Sequence, residues 1–186
     1  DSILAPLTGA LCREGREGKD EFGEPTYVES PDELHMGMSC LIQGRETDRP
    51  VAFPPPPFAL RLTEEDFRHR RPNMKSSAEN FWYLELGGNR DAIGDTEEVA
   101  KDLRALAMGT WDYIKTSGNY DTCNWELEFF GFLPGKRESR RMVGEYTVTA
   151  NDLLENTPFP DAVAFGGWPI DDHYPDGFYH KGRPNT

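Results

Sequence analysis

The stretch DTEEVAKDLRALAMGTWDYIKTSG, residues 95–118, constrains this chain more than any other, because it is the clearest sustained helical period in the sequence. Val99, Leu103, Leu106, Thr110 and Ile114 follow one another at three- and four-residue steps, which places them on one helix face. Asp95 stands at the N-cap position with Glu98 three residues on, the arrangement of a reciprocal cap, and Gly118 suits a left-handed exit. Lys101 and Arg104 fall on the wet side, while Trp111 and Tyr113 read as core packing. Elsewhere 18 Gly and 15 Pro punctuate the chain, so long ordered loops are expected rather than a helical bundle.

Around that helix the strand signals are short. MGMSCLIQGRE (36–46) reads as a strand ending at Gly44, and ENFWYLELGG (79–88) as an aromatic-rich strand stopped by Gly87 and Gly88. RMVGEYTVT (141–149) reads as a strand with Met142, Tyr146 and Val148 on one face. Thr149 then opens a short capped helix, TANDLLEN. Pro54 to Pro57 take polyproline II geometry and cannot join a central ladder, so PVAFPPPPFAL is expected to be a stiff connector lying on the domain. RHRRP (68–72) reads as a solvated helix end, and PDAVAFGGWPIDDHYPDG as a closing loop. Mean hydropathy is low at -0.70, yet 37% hydrophobic and 12% aromatic residues supply a core. The expected fold class is α+β. A mixed, largely antiparallel sheet packs against one long helix, with long Pro/Gly-rich loops, in a single domain over residues 1–186.

Thirty-three Asp+Glu against twenty Lys+Arg leave a net charge of -13. That balance argues against nucleic acid and anionic membrane as partners. No apolar run approaches the ~20 residues of a membrane helix. Cys12, Cys40 and Cys123 lie far apart without CxxC or Cys–His ligand spacing, so free, partly buried thiols are expected rather than zinc or a disulfide framework. The opening DSILAPLTGA shows neither an initiator Met nor a signal segment and reads as cut from something longer. Against the acidic background, GKRESRRMVGEY (135–146) gathers Lys136, Arg137, Arg140 and Arg141. Two readings stand for this cluster: cations paired with Glu138 or Glu145 and otherwise solvated, or guanidiniums that clamp a carboxylate or phosphate bidentately. Arg140 and Arg141 point to opposite faces once a strand begins, so they cannot share one task.

LPGKRESRRMVGEYTVTANDLL followed by FPDAVAFGGWPIDDH resembles the FAD-dependent oxidoreductase family of bacteria, whose members are often loosely labelled xanthan-lyase-like. The pattern is carried by Pro134, Gly135, Arg137, Glu138, Ser139, Arg140, Arg141, Gly144, Tyr146 and Asp152. It continues at Phe159 to Ala162, Gly166 to Pro169, Asp171 and His173. GREGKDEFGEP, MGMSC and the WDYIK helix are similar too, so the resemblance covers most of the chain. It implies hydride transfer from a small, sugar- or polyol-like substrate to FAD. His173 would be the base, since imidazole suits proton removal at neutral pH, with Asp171 orienting it. Arg137, Arg140 and Arg141 would hold the anionic cofactor or substrate, and Trp168 and Tyr146 would contact substrate.

On the residues alone, Asp171 and His173 serve equally well to satisfy loop backbone groups, and Trp168 to pack on the strand. No metal site is expected from Asp171, Asp172, His173 and His180, because consecutive positions rarely aim at one ion. A Gly-x-Ser-x-Gly elbow and a Cys beside a His are both missing, so hydrolase chemistry has no support. Three departures from the family pattern matter. The GxGxxG turn that seats a pyrophosphate is absent, as is the C-terminal flavin-binding return. Only Asp1 matches the family's Asp-x-Thr-Gly-Asp-Gly element. The chain is therefore expected to be the substrate-side portion of a larger flavoprotein. Its partners would be a small-molecule substrate and the flanking FAD-binding domain, and alone it would hold FAD poorly. The rival expectation is a non-catalytic module that binds a glycan or a protein.

Overall fold

The computed structural model describes residues 3–25, 28–74, 84–167, 170–171 and 173–182. In chain order the elements are α1 (Leu4–Leu7), β1 (Cys12–Arg13), α2 (Lys19–Phe22), β2 (Met38–Ser39), β3 (Ile42–Glu46) and β4 (Glu85–Leu86). Then come α3 (Thr96–Thr116), β5 (Trp125–Phe130), β6 (Arg141–Met142), α4 (Ala150–Glu155) and a closing 3-10 turn, Gly177–Tyr179.

The apolar face of α3 is buried at Val99, Leu103, Leu106, Thr110 and Ile114, and Trp111 and Tyr113 are buried with it. Gly118 leaves the helix at a φ of 76°, a left-handed angle that costs glycine nothing. The start of the helix differs from expectation, because Asp95 makes no side-chain cap. The preceding turn captures it: the Asp95 carboxylate accepts from the Asp91 N–H at 3.2 Å, and Thr96 Oγ1 donates to the Ala92 and Ile93 carbonyls. The reciprocal cap occurs instead on α4, between Thr149 and Asp152. The proline connector reaches α3 at Leu60, whose N–H donates to the Ala105 carbonyl at 3.0 Å. Gly109 faces the Leu60 carbonyl with no room for a Cβ.

The expected single mixed sheet is replaced, among the described residues, by three two-stranded antiparallel ladders: β1–β6, β2–β4 and β3–β5. One isolated bridge, Gly18 to Val28, is parallel. The sequence expectation joined segments that the backbone keeps apart. The 36–46 strand divides at Cys40 and Leu41, then runs through Gly44 rather than ending there. Gly44 sits at a register shift against the rings of Trp111 and Trp125, where a side chain would collide. RMVGEYTVT pairs as a strand only at Arg141–Met142: the antiparallel register runs 143–149 back toward α1, and after the Val143 N–H donates to the Leu11 carbonyl the partner segment turns away at Gly9, φ 85°. Its expected inner face, Met142, Tyr146 and Val148, is exposed. Of ENFWYLELGG, residues 79–83 lie outside the described residues, and Glu85–Leu86 form β4. RHRRP is no helix end. Arg70 within it is buried and donates to the His180 carbonyl at 2.6 Å.

One apolar core gathers Met38, Ile42, Phe67, Leu84, Trp111 and Phe178 with the face of α3. Phe67 stacks on Tyr113 at 4.4 Å and meets Phe178 edge-on at 5.5 Å, so the 3-10 turn closes this core. All three cysteines are free. Cys40 is buried, which pushes its thiol up to about 11, and its Sγ–H donates to the Gly131 carbonyl at 3.0 Å.

Candidate functional site

Glu85 is a carboxylate in an apolar strand, and the fold buries it. Burying an ionised carboxylate is costly unless donors surround it. Three elements deliver those donors. Antiparallel register sets Ser39 of β2 opposite Glu85 of β4, and Ser39 Oγ donates to Glu85 Oε1 at 3.3 Å. Ser39 also exchanges two backbone hydrogen bonds with Gly135, at 3.0 and 2.8 Å. That bridge brings Arg137, two residues on, to Glu85 Oε1, where it donates through Nη1. The third donor is His173, whose Nδ1 lies 2.9 Å from Glu85 Oε2. Gly177, at a φ of 52°, packs its backbone against the Glu85 carbonyl and allows the turn beyond His173 to sit this close.

The other ring nitrogen, His173 Nε2, faces two groups among the described residues. Asp171 Oδ2 is 3.0 Å away and Arg137 Nη2 is 3.2 Å away. The His173 side chain is 1% exposed and that of Glu85 4%, whereas Asp171 is 36% exposed. The result is a buried Glu85–His173 pair flanked by two groups open to solvent, the Arg137 guanidinium, 30% exposed, and the Asp171 carboxylate. Such an arrangement can hold a proton at the imidazole and exchange it through Asp171.

The structure therefore brings Arg137, Asp171 and His173 together and sends Arg140, Arg141 and Tyr146 elsewhere. Arg141 donates to Glu138 at 2.6 Å and to Glu17 at 2.7 Å. Arg140 donates to Glu14 at 2.7 Å on the opposite side, as strand alternation requires. Tyr146 donates its hydroxyl to Asp152 at 3.0 and 3.1 Å, and that hydrogen bond pushes its pKa above the ordinary tyrosine value. Tyr146 and Arg141 line a cavity of about 480 Å³ with Arg13, Glu17, Phe22 and Glu138, whereas Arg140 lines a separate one of about 460 Å³ with His35 and Asp91. Trp168 lies outside the described residues. Sequence reasoning missed Glu85 and Ser39. No local signal marks either residue, because only the register of β2 against β4 sets them together.

The described residues do not fit the pyrophosphate of FAD. The first turn of α3 carries Glu97 and Glu98 after Asp95, which repels an anion at the helix end that would otherwise attract one. The three candidate arginines already donate to carboxylates at Glu85, Glu14, Glu17 and Glu138. What fold and site define is an α+β domain with a buried carboxylate–imidazole pair and, among the described residues, without a cradle for the dinucleotide. The family model described as FAD dependent oxidoreductase matches residues 1–185, and the chain belongs to that family. No curated protein and no solved structure matches it.

Proposed function

We propose that this chain forms the substrate side of an FAD dependent oxidoreductase, over a flavin held by a flanking domain, and that its substrate is a small sugar- or polyol-like alcohol. One observation carries the reading. The two segments that bear the family pattern, 134–152 and 159–173, meet where Arg137 and Asp171 flank the buried His173. A convergence of charged residues around a buried imidazole is common at sites that handle protons. Removing hydrogen from an alcohol requires a group that takes the hydroxyl proton, and this node supplies one. Val163 and Phe165 stand almost wholly exposed, with Phe132 and Leu133 open as well. We assign this apolar surface to contact with the flanking domain.

The test is anaerobic mixing of the flavin-loaded protein with a panel of polyols and monosaccharides. Bleaching of the visible flavin absorbance by one class of alcohol is the expected result. A full panel without bleaching overturns the reading. The exposed apolar residues also suit a non-catalytic glycan-binding module. Its signature in the same experiment is tryptophan quenching by oligosaccharide with the flavin spectrum unchanged.

A further inference from the structure

We infer that Asp171 is the port through which a proton enters and leaves the buried His173, and that Asp171, not His173, is the group that meets substrate. The second half rests on the redox reading above. The two ring nitrogens of His173 have different kinds of neighbour. Nδ1 faces Glu85 Oε2 at 2.9 Å. Glu85 also accepts from Arg137 and Ser39, so it acts as an ionised acceptor and Nδ1 carries a hydrogen. Nε2 faces neighbours with opposite demands. Arg137 Nη2, at 3.2 Å, is a donor in every state, while ionised Asp171 offers an acceptor at 3.0 Å. Neutral His173 accepts from Arg137. Protonated His173 donates Nε2–H to Asp171 and gives up the Arg137 hydrogen bond. A single proton thus moves the ring's allegiance from the 134–141 segment to the loop that holds Asp171.

Exposure sets the direction of traffic. The His173 side chain is 1% exposed, so a substrate cannot reach Nε2 without displacing a partner; of the two partners Arg137 is 30% exposed and Asp171 36%, and only the Asp171 carboxylate can accept a proton. In the proposed step the substrate O–H bond breaks and its proton passes to Asp171 Oδ2. The proton then moves to the Nε2 lone pair, leaving Asp171 ionised and His173 cationic. One proton moves, and no electron is transferred in the step. The imidazolium rests between the Glu85 and Asp171 carboxylates, which offset the nearby Arg137 charge.

The deciding experiment follows the ring nitrogens of His173 by NMR in the nitrogen-labelled full chain, without flavin, over a range of pH. The unaltered chain should keep a hydrogen on Nδ1 throughout and gain a second on Nε2 as acid is added. In Asp171→Asn the second hydrogen should fail to appear on Nε2 over the same range, with Nδ1–H retained. Asp171 is partly exposed, so this variant keeps the fold, which the dispersion of the same spectra verifies. A hydrogen-free Nδ1, or uptake at Nε2 unchanged in Asp171→Asn, overturns the wiring. Flavin bleaching by a polyol then separates the two layers. Asp171→Asn should slow it about 100-fold, the scale of a lost general base. Bleaching at the unaltered rate overturns the assignment to Asp171. Absence of bleaching in the unaltered protein overturns the redox reading and leaves the NMR result to decide the wiring.

Discussion

Thr110 Oγ1 and Trp111 Nε1 are buried with no hydrogen-bond partner among the described residues. A helical threonine commonly returns its hydroxyl to the carbonyl four residues back, and Thr110 does not. Its hydroxyl therefore bears a desolvation cost without a compensating bond. Thr110→Val keeps the shape and removes the polar atom. It should stabilise the fold by about 1 kcal/mol, read as a higher urea midpoint at unchanged slope. A lower midpoint would show that the hydroxyl has a partner after all. Single residues also decide which parts of the site the sequence disclosed. Arg137, Asp171 and His173 were legible because they stand in long, specific segments. Glu85 was not, since nothing local distinguishes a strand glutamate that faces solvent from one that faces a buried imidazole. Only the register of Ser39 against Glu85 makes that choice.

At the scale of elements, α3 was legible because its apolar spacing is a local property, and its burial follows that spacing. The 141–149 strand was not, because alternation describes a strand that has a partner, and residues beyond Met142 would have to pair with the chain before Cys12, where α1 and the turn at Gly9 stand. Gly109 tests how tightly the proline connector is seated on α3. Helix propensity alone would make Gly109→Ala stabilising by ~1 kcal/mol. The new Cβ would enter the Leu60 carbonyl, which is backbone and cannot swing aside. Overpacking of this kind costs about 1–3 kcal/mol, so the melting temperature should fall. A rise would mean that the connector yields. The short helix α4 makes a different prediction. The Thr149 N–H, donating to Asp152 at 2.9 Å, leads the interactions that hold the Asp152 carboxyl below its ordinary range. A depressed folded value adds stability that is present above the unfolded value of ~3.9 and lost as pH falls through the folded one. Amide protection in α4, corrected for intrinsic exchange, should therefore begin to decline near ~pH 4 and go on falling at lower pH. Asp152→Asn should abolish that dependence, and equal acid loss in the variant would place its cause elsewhere.

For the whole molecule, charge acts in two opposite senses. The net charge of -13 opposes a condensed chain, and salt relieves that repulsion. Yet the segments around α2 and β6 are fastened by local ion pairs, since α2 buries no residue, and α4 hangs on that flank through the Ala150 N–H, which donates to Glu24 at 2.6 Å. Arg13 meets Glu21 at 2.5 Å, Arg140 meets Glu14 at 2.7 Å, and Arg141 meets Glu17 at 2.7 Å. All three pairs are partly or largely exposed, so each contributes no more than ~1 kcal/mol and is open to screening. The apolar core on α3 has no such dependence. Raising NaCl to ~1 M, where the Debye length shrinks to ~3 Å, should pull the two regions apart in stability. Hydrogen exchange should speed up in residues 12–24 and 141–155 while α3 holds its protection or gains some. A uniform change along the chain would show instead that the ionic flank and the apolar core open as one cooperative unit, with the net repulsion governing both.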